Sequence, residues 1–178
     1  MPPPTLWDEP AGPRPEGGIL FGANLGDPEE SILLAQQALA SAADFRFVGQ
    51  SSLWETEPVG GPPGQPWYLN RLGVYLCPAD PVRVVRFLLA VEARLGRVRR
   101  ERWGPRVIDL DLLYLGDAVS TAEEALVPHP RMSQRAFALY PLAEVRPGWI
   151  HPASGLSVEE LIGRLPAGSG AQVRRRPS

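Results

Sequence analysis

The sequence predicts an α/β (α+β) fold, a ferredoxin-like β-α-β-β-α-β two-layer sandwich with additional C-terminal helices. Two amphipathic segments that each begin with Asp-Pro predict the helices, and four apolar segments placed around them in this order predict the strands. The 178 residues fit one domain. We expect it to cover residues 18–165, between a disordered proline-rich leader (1–17) and a flexible arginine-rich tail (166–178).

The first half of the domain contains one helix between two strands. Residues 18–22 (GILFG) form an apolar run that ends in glycine, which predicts the first strand. Asp27 supplies a helix N-cap and Pro28 suits the first helical position, so we expect an amphipathic helix over 28–43. The aromatic and β-branched residues of 45–54 predict the second strand.

A long loop separates this half from the next. Residues 55–66 are rich in proline and glycine, and connections of this length inside a compact domain are often functional. The apolar run 67–77 predicts the third strand. An apolar stripe over 82–95 predicts the second helix, and Gly96 suits the position that follows a helix end. Residues 106–116 predict the fourth strand.

The C-terminal part adds helices to this pattern. We expect one around 131–143, broken by Pro141, and a short one near 157–164. Both helices of the β-α-β-β-α-β unit should lie on one face of the sheet, which would leave the other face open for a site.

Composition excludes several classes of protein. The net charge of −2 gives no global basic field that would attract nucleic acid or an anionic membrane. Cys77 is the only cysteine, which excludes an intramolecular disulfide and a thiolate metal cluster and fits a reduced cytoplasmic setting. The sequence contains neither a signal-peptide pattern nor an apolar run of about 20 residues, so we expect no membrane partner.

Two aspartates, Asp109 and Asp111, lie on the fourth predicted strand with only Leu110 between them. Side chains alternate along a strand, so both carboxylates should share one face while Ile108, Leu110 and Leu112 point into the core. Two carboxylates this close repel each other unless a cation lies between them, and Mg²⁺ prefers carboxylate and phosphate oxygens. A solvated polar strand face is the alternative that so short a motif leaves open.

Six arginines lie within residues 94–106, immediately before the two aspartates. Guanidinium groups suit multidentate phosphate binding, and Trp103 among them could stack on a base or on a guanidinium. A solvated charged loop or a nonspecific nucleic-acid patch would explain the arginines alone. Together with the paired aspartates they indicate a triphosphate and Mg²⁺ site. Neither GxxxxGK[ST] nor GxGxxG is present, so side chains must hold any nucleotide.

Two further segments carry side chains that suit a ligand. Tyr68 and Asn70 should lie on one strand face, where an aromatic ring and an amide suit a planar heterocycle. A core aromatic and a strand-end asparagine would explain them equally well. His129, Arg135 and Phe137 lie together in the segment HPRMSQRAF, where a structural histidine between prolines is the alternative.

Four segments together resemble the 6-hydroxymethyl-7,8-dihydropterin pyrophosphokinase (2-amino-4-hydroxy-6-hydroxymethyldihydropteridine diphosphokinase) family of folate biosynthesis. They are GANLGD (22–27), SSLWETEPVG…QPWYLN (51–70), GRVRRERWGPRVIDLDLLYLG (96–116) and VPHPRMSQRAFALYPLAEV (127–145). The resemblance covers about 18–162. It implies a ferredoxin-like fold, in agreement with the element order. It also implies transfer of the pyrophosphoryl group of ATP to the hydroxymethyl group of the pterin, which gives AMP and the pterin diphosphate.

The resemblance further implies roles for individual residues. Two Mg²⁺ ions are expected on Asp109 and Asp111, and the expected catalytic residues are Arg97, Arg106, Asp109 and Asp111. The pterin ring is expected between Tyr68 and Phe137, and the other residues expected to bind it are Thr56, Pro58, Val59 and Asn70. The residues expected to bind ATP are Arg99, Trp103, Leu112, His129 and Arg135.

One departure and two alternatives accompany the resemblance. Ala23 stands where the family often has serine. A ferredoxin-like nucleic-acid-binding module without catalysis would explain the arginines but not the paired aspartates, which repel phosphate unless a metal intervenes. A degenerate member kept as an interaction protein would not need the aspartates, arginines and aromatic residues together. We therefore expect a cytoplasmic, monomeric, ATP-dependent diphosphokinase that binds the pterin and ATP, with no nucleic-acid and no membrane partner.

Overall fold

The computed structural model describes residues 14–58, 61–97, 104–167 and 173–177. Of the predicted site residues, Val59, Arg99 and Trp103 lie outside the described residues. The elements are β1 (Glu16–Ala23), α1 (Pro28–Ala40), β2 (Arg46–Gln50), β3 (Trp54–Thr56), β4 (Tyr68–Leu76), α2 (Pro81–Arg94), β5 (Asp109–Leu115), a 3₁₀ turn (Met132–Gln134), α3 (Ala136–Val145), α4 (Val158–Gly163) and β6 (Val173–Arg175).

The strands form one antiparallel sheet. Its order is β5-β1-β4-β3-β6, and β2 also pairs with β4. β1 and β4 are central and pair along their length, from Glu16 opposite Leu76 to Ala23 opposite Leu69. The order β5-β1-β4-β2, with α1 and α2 as the crossovers, is the ferredoxin-like arrangement and confirms the predicted fold class.

The structure confirms both predicted helix starts. The Asp27 carboxylate accepts a hydrogen bond from the Glu30 backbone N–H at 3.0 Å, and the Asp80 carboxylate accepts one at the start of α2 at 2.9 Å. Each bond satisfies a backbone donor that has no acceptor within the helix. α1 ends at Ala40, before its predicted end, where the Ser41 hydroxyl donates to a carbonyl of the last turn at 2.8 Å.

The predicted strand 45–54 is in fact two strands, β2 and β3, which corrects the element order. Between them the Ser51 hydroxyl accepts a hydrogen bond from the Leu72 N–H at 3.0 Å, where a backbone carbonyl would accept in a continuous ladder. The chain then pairs with β4 again through β3. β3 continues to Thr56, inside the predicted loop, because its backbone pairs with β4 and its side chain is buried.

The two faces of the sheet carry different cores. On one face α1 and α2 pack their apolar stripes against the strands, with Ile32, Leu39 and Leu88 beside Phe21 and Ile108. These side chains are at most 1% exposed. Full burial of such a side chain contributes about 1.5–3 kcal/mol, so this layer holds both helices to the sheet.

The opposite face is covered by the C-terminal helices, which corrects the expectation that it would be left open for a site. α3 and α4 pack on it through Leu139, Leu142 and Leu161, over the strand residues Leu20 and Leu72. Strands whose two faces are both apolar need cover on both sides. Polar and charged side chains lie at the end of this face where β4 and β5 begin, and the site lies there.

Pro141 does not break α3, contrary to the sequence expectation. The helix runs from Ala136 to Val145 with Pro141 inside it and buried. A proline removes one helical hydrogen bond, yet the helix continues through Pro141, which is buried like Leu139 and Leu142.

Both expected flanking segments contribute residues to the sheet. β1 begins at Glu16, whose carboxylate accepts hydrogen bonds from Arg146 at 2.8 and 2.9 Å and from the Tyr114 hydroxyl at 2.8 Å. Val173–Arg175, from the expected tail, form β6. None of the described helices is long and apolar enough to cross a bilayer.

Candidate active site

The site is a cleft with two cavities that share a set of charged residues. The smaller cavity has a volume of about 350 Å³ and lies between β3, β4 and the start of α3. The larger has a volume of about 1180 Å³ and lies between α2, β5 and residues 123–131. The residues that line both are Arg106, Asp109, Asp111, Arg131 and Arg135.

The strand register explains where the two aspartates lie. Gly22 on β1 is opposite both Asn70 on β4 and Asp109 on β5, so these three residues form one row across the sheet. Leu20 is opposite Asp111 in the next row on the same face. A Cβ on Gly22 would lie 3.1 Å from the Asn70 side-chain oxygen. Glycine therefore leaves the floor of the smaller cavity open between the amide and the carboxylate.

The orientation predicted for the aspartate strand is confirmed. Ile108, Leu110 and Leu112 lie in the core beneath α1 and α2, and each is at most 5% exposed. Asp109 and Asp111 point to the opposite face and line the cleft. The alternation therefore separates apolar core contacts from the charged floor of the site.

Three arginines converge on the two carboxylates. Arg97 contacts Asp109 at 2.5 Å, Arg106 forms a close ion pair with the other oxygen of the same carboxylate, and Arg135 lies 3.7 Å from Asp111. Arg97, Arg106 and both aspartates lie within residues 97–111, whereas Arg135 comes from the segment just before α3. The guanidinium groups neutralise the paired carboxylates. Arg106 and Arg135 line both cavities, and Arg97 lines the larger one.

Glu92 on α2 is a site residue that the sequence analysis did not identify. It is only 3% exposed, accepts a hydrogen bond from the Leu110 N–H at 2.7 Å and forms an ion pair with Arg97. It links α2 to the aspartate strand and to an arginine of the site. The available signal was a carboxylate on the apolar stripe of the helix, a position that requires a buried partner.

Burial and neighbouring charges change the acidity of these groups. Burial raises the pKa of Glu92 to about 7, although the Leu110 N–H and Arg97 favour its ionised form. Burial, followed by the repulsion of Asp109, raises the pKa of Asp111, although its side chain keeps 31% of its surface open to the cleft. Burial alone would lower the pKa of Arg97, but the Asp109 and Glu92 carboxylates raise it.

Asn24, from the segment GANLGD, organises the backbone around the cleft. It is 2% exposed, and its side-chain oxygen accepts a hydrogen bond from the Arg106 N–H at 2.8 Å. Its side-chain nitrogen donates to the Pro66 carbonyl at 3.1 Å, and its own N–H donates to the Arg106 carbonyl at 3.0 Å. One buried amide thus holds the segment that carries Arg106 and the segment that leads into β4.

The described residues among those predicted to bind the pterin lie together. Thr56, Pro58, Tyr68, Asn70 and Phe137 all line the smaller cavity. The Asn70 side-chain nitrogen donates to the Thr56 hydroxyl at 2.8 Å, and both residues are buried. The Tyr68 hydroxyl donates to the Gly104 carbonyl at 3.1 Å. Leu20, Gly22, Glu57 and Gln134 also line this cavity and were not predicted.

The described residues predicted on the ATP side also lie together. Arg97, Arg106, Leu112, His129 and Arg135 line the larger cavity. The His129 Nδ1 accepts a hydrogen bond from the Arg131 N–H at 3.2 Å. Burial and the two nearby arginines lower the pKa of His129 to about 4, so it is neutral at pH 7. The apolar lining residues Val85, Leu89 and Leu126 were not predicted.

The comparisons with known proteins identify the family. A family model described as 7,8-dihydro-6-hydroxymethylpterin-pyrophosphokinase (HPPK) matches residues 18–147. The chain belongs to this family. The family predicted from the four sequence segments is thereby confirmed, and with it the prediction of an enzyme. A nucleic-acid-binding module without catalysis is not favoured.

Two curated relatives support the same family. The 2-amino-4-hydroxy-6-hydroxymethyldihydropteridine pyrophosphokinase of Synechocystis sp. is 38% identical over 142 residues, which are 80% of this chain and 72% of the relative. The protein of the same name from Pseudomonas aeruginosa is 36% identical over 148 residues, which are 83% of this chain and 90% of the relative.

Solved structures share the fold. A crystal structure of Plasmodium falciparum HPPK-DHPS with pteroate has a TM-score of 0.68 at 12% sequence identity, over 89% of this chain and 44% of that chain. The chain described here spans less than half the length of those solved chains. The likeness establishes the HPPK-type fold of this chain.

Proposed function

We propose that this chain transfers the pyrophosphoryl group of ATP to the hydroxymethyl group of 6-hydroxymethyl-7,8-dihydropterin, with the pterin in the smaller cavity and ATP in the larger. The observation that carries this proposal is that Asp109 and Asp111 line both cavities. In the reaction the hydroxymethyl oxygen attacks the β-phosphorus of ATP and loses its proton. The bond from that phosphorus to the α,β-bridging oxygen breaks, and AMP leaves.

The carboxylates at the junction, where Asp109 and Asp111 line both cavities, fit Mg²⁺. Asp109 and Asp111 supply carboxylate oxygens on one strand face, and the described residues contain no group of three or more His, Cys, Asp or Glu side chains that could enclose a metal alone. Mg²⁺ is commonly held by one or two carboxylates together with substrate phosphates and water. When bound, it would neutralise the phosphates and hold them in line with the pterin hydroxyl. We propose two such ions.

The arginines of the cleft supply the remaining positive charge. The two aspartates at the junction form ion pairs with Arg97, Arg106 and Arg135. The β- and γ-phosphates of ATP would be placed there. Transfer of a phosphoryl group depends mainly on positioning and on stabilisation of the charge that develops on the phosphate oxygens. We propose that Arg99 and Trp103 also bind ATP.

The smaller cavity suits a flat heterocycle. Tyr68 and Phe137 provide aromatic faces, and the buried pair of Asn70 and Thr56 provides polar atoms at the edge. The chain near Pro58 and Val59 would add contacts to the ring. A site that hydrogen-bonds the edge of its ligand rejects analogues that lack the matching groups, because its own buried polar groups are then left without partners.

No side chain is assigned as general base. His129 is neutral at pH 7, and it lies among arginines that a phosphate would contact. We propose that it binds ATP together with Leu112. We also propose that the protein acts as a cytoplasmic monomer with no nucleic-acid partner.

The test is to identify the nucleotide product. Purified protein is mixed with ATP, Mg²⁺ and 6-hydroxymethyl-7,8-dihydropterin, and the nucleotides are separated by chromatography. We expect AMP in amounts equal to the pterin diphosphate. ADP as the product would mean transfer of a single phosphoryl group, and the absence of turnover would contradict the proposal.

A further inference from the structure

The described C-terminal segment completes the sheet beside the smaller cavity. β6 pairs with β3 in an antiparallel register, with Trp54 opposite Arg175, Glu55 opposite Arg174 and Thr56 opposite Val173. The pairing is extended by a hydrogen bond from the Arg176 N–H to the Leu53 carbonyl at 2.8 Å. β3 has only three residues and pairs with β4 on its other side. β6 therefore converts a short edge strand into an internal one.

The strand that β6 covers supplies the polar edge of the smaller cavity. Thr56, at the end of β3, is 2% exposed and accepts the hydrogen bond from Asn70 at 2.8 Å. The Thr56 side chain can hold Asn70 only while the β3 backbone stays in register with β4. An unpaired strand edge opens more readily than a strand with partners on both sides.

Arg174 connects the two ends of the segment between β3 and β4. Its Nε donates to the carboxylate of Glu55 on β3 at 2.6 Å, and its guanidinium carbon lies 4.8 Å from the ring centre of Trp67, the last residue before β4. Glu57 and Pro58 of this segment line the smaller cavity. One side chain therefore contacts both points at which the segment joins the sheet.

Two further arginines attach β6 to the helices. Arg175 donates to the Ser52 hydroxyl at 2.8 Å and lies 3.2 Å from Glu144 on α3, and Arg176 donates to Glu29 on α1 at 2.8 Å. These pairs are largely exposed, and exposed ion pairs contribute little individually. The backbone pairing with β3 is thus the main contact, and the side chains fix its position.

We propose that β6 is a positioning element for the pterin side of the site, with Arg174 as its positioning residue for β3 and the segment that follows. This proposal rests on the proposed function. It predicts that damage to β6 weakens pterin binding while ATP binding, which uses the other cavity, is retained. Arg174 does not line either cavity among the described residues, so its effect must pass through β3 and Trp67.

The test compares three variants of the full chain. Arg174→Pro removes a backbone donor within β6 together with the side chain, and Arg174→Ala removes the side chain alone. Arg46→Ala, at an exposed arginine of β2, is the matched control for loss of one charge. Wild-type turnover to AMP is measured first. If the wild-type protein forms no AMP, the proposed function fails. Hydrogen exchange of residues 53–58 then still decides whether β6 holds β3 in place.

For Arg174→Pro we expect a KM for the pterin about tenfold higher, a KM for ATP within twofold of wild type, and faster hydrogen exchange of residues 53–58. Arg174→Ala should raise the KM for the pterin about twofold to threefold, and Arg46→Ala should change neither KM. Equal increases in both KM values, or unchanged KM and unchanged exchange in Arg174→Pro, would overturn the proposal.

Discussion

The two cavities are built from different interactions. Away from the charged residues that line both cavities, the smaller is formed largely by neutral groups in fixed register, such as the buried pair of Asn70 and Thr56. The larger is formed by opposed charges, in which Arg97 and Arg106 bind Asp109. Neutral hydrogen bonds within a sheet give a preformed surface for a flat ring. Charge pairs between segments can exchange partners when phosphate and Mg²⁺ bind, so this side is prepared for ligands that bring charge of their own.

The largest effect should come from Asp111, one of the two carboxylates that line both cavities. We expect Asp111→Ala to lower kcat by about 10³-fold, because it removes one of two carboxylates at the junction. The thermal unfolding temperature should stay near that of wild type, since the carboxylate is not part of the core. Steady-state rates of AMP formation measure the effect.

Asp117→Ala is the control, because Asp117 is exposed in the turn after β5. Turnover close to wild type in Asp111→Ala would refute the role of the aspartates at the junction.

Glu92, which lines the larger cavity, should make the stability of the protein depend on pH. The pKa of Glu92 is raised from 4.5 to about 7, so the folded state holds this proton over a range in which the unfolded chain has lost it. Stability should therefore fall as pH rises from 4.5 to 7, by at most about 3 kcal/mol from this group. Glu92→Gln removes the titration and should flatten the curve, which urea unfolding at several pH values measures.

Glu159→Gln, at an exposed position of α4, should retain the wild-type slope. A slope in Glu92→Gln as steep as that of wild type would mean that Glu92 is ionised throughout this range.

The two cavities should separate kinetically. Thr56→Val keeps the shape of the side chain but leaves the buried Asn70 donor without its acceptor, so we expect the KM for the pterin to rise about tenfold. Arg135→Ala should instead raise mainly the KM for ATP, because Arg135 lies 3.7 Å from Asp111, where the phosphates of ATP would be placed. Both KM values are measured for each variant, and equal changes in the two would show that the cavities do not act separately.

The smallest effect should come from the floor of the smaller cavity, where Gly22 lies. Gly22→Ala places a Cβ 3.1 Å from the Asn70 oxygen, which forces a small shift. We expect the KM for the pterin to rise about twofold to fivefold, with the KM for ATP unchanged. In the matched control, Gly49→Ala, the new Cβ meets only a Val145 methyl at 3.9 Å, and both KM values should stay at wild type.

Local patterns predicted much of the fold and of the described site. The Asp-Pro starts predicted both helices, and the alternation of Ile108, Leu110 and Leu112 predicted the face of the aspartates. Helix starts and strand alternation depend on residues close in the chain, so the spacing of residue types predicts them. The family resemblance then named residues in four segments, and every described one lines the cleft.

The sequence did not reveal contacts between distant segments. Glu92 acquires its role from the Leu110 N–H and from Arg97, which only the packed α2 and β5 bring together. β6 consists of Val173, Arg174 and Arg175, a composition typical of a solvated tail, and becomes a strand only because β3 offers an unpaired edge. The cover of α3 and α4 on the second face likewise depends on the apolar residues of several strands together.

The most direct test of the account is a crystal structure of the chain with 6-hydroxymethyl-7,8-dihydropterin, Mg²⁺ and α,β-methylene-ATP, in which the bond that must break cannot. We predict that the pterin lies between Tyr68 and Phe137, that the nucleotide lies in the larger cavity, and that Asp109 and Asp111 hold the metal ions. Metal or phosphate bound away from these two carboxylates, or both ligands in one cavity, would contradict it.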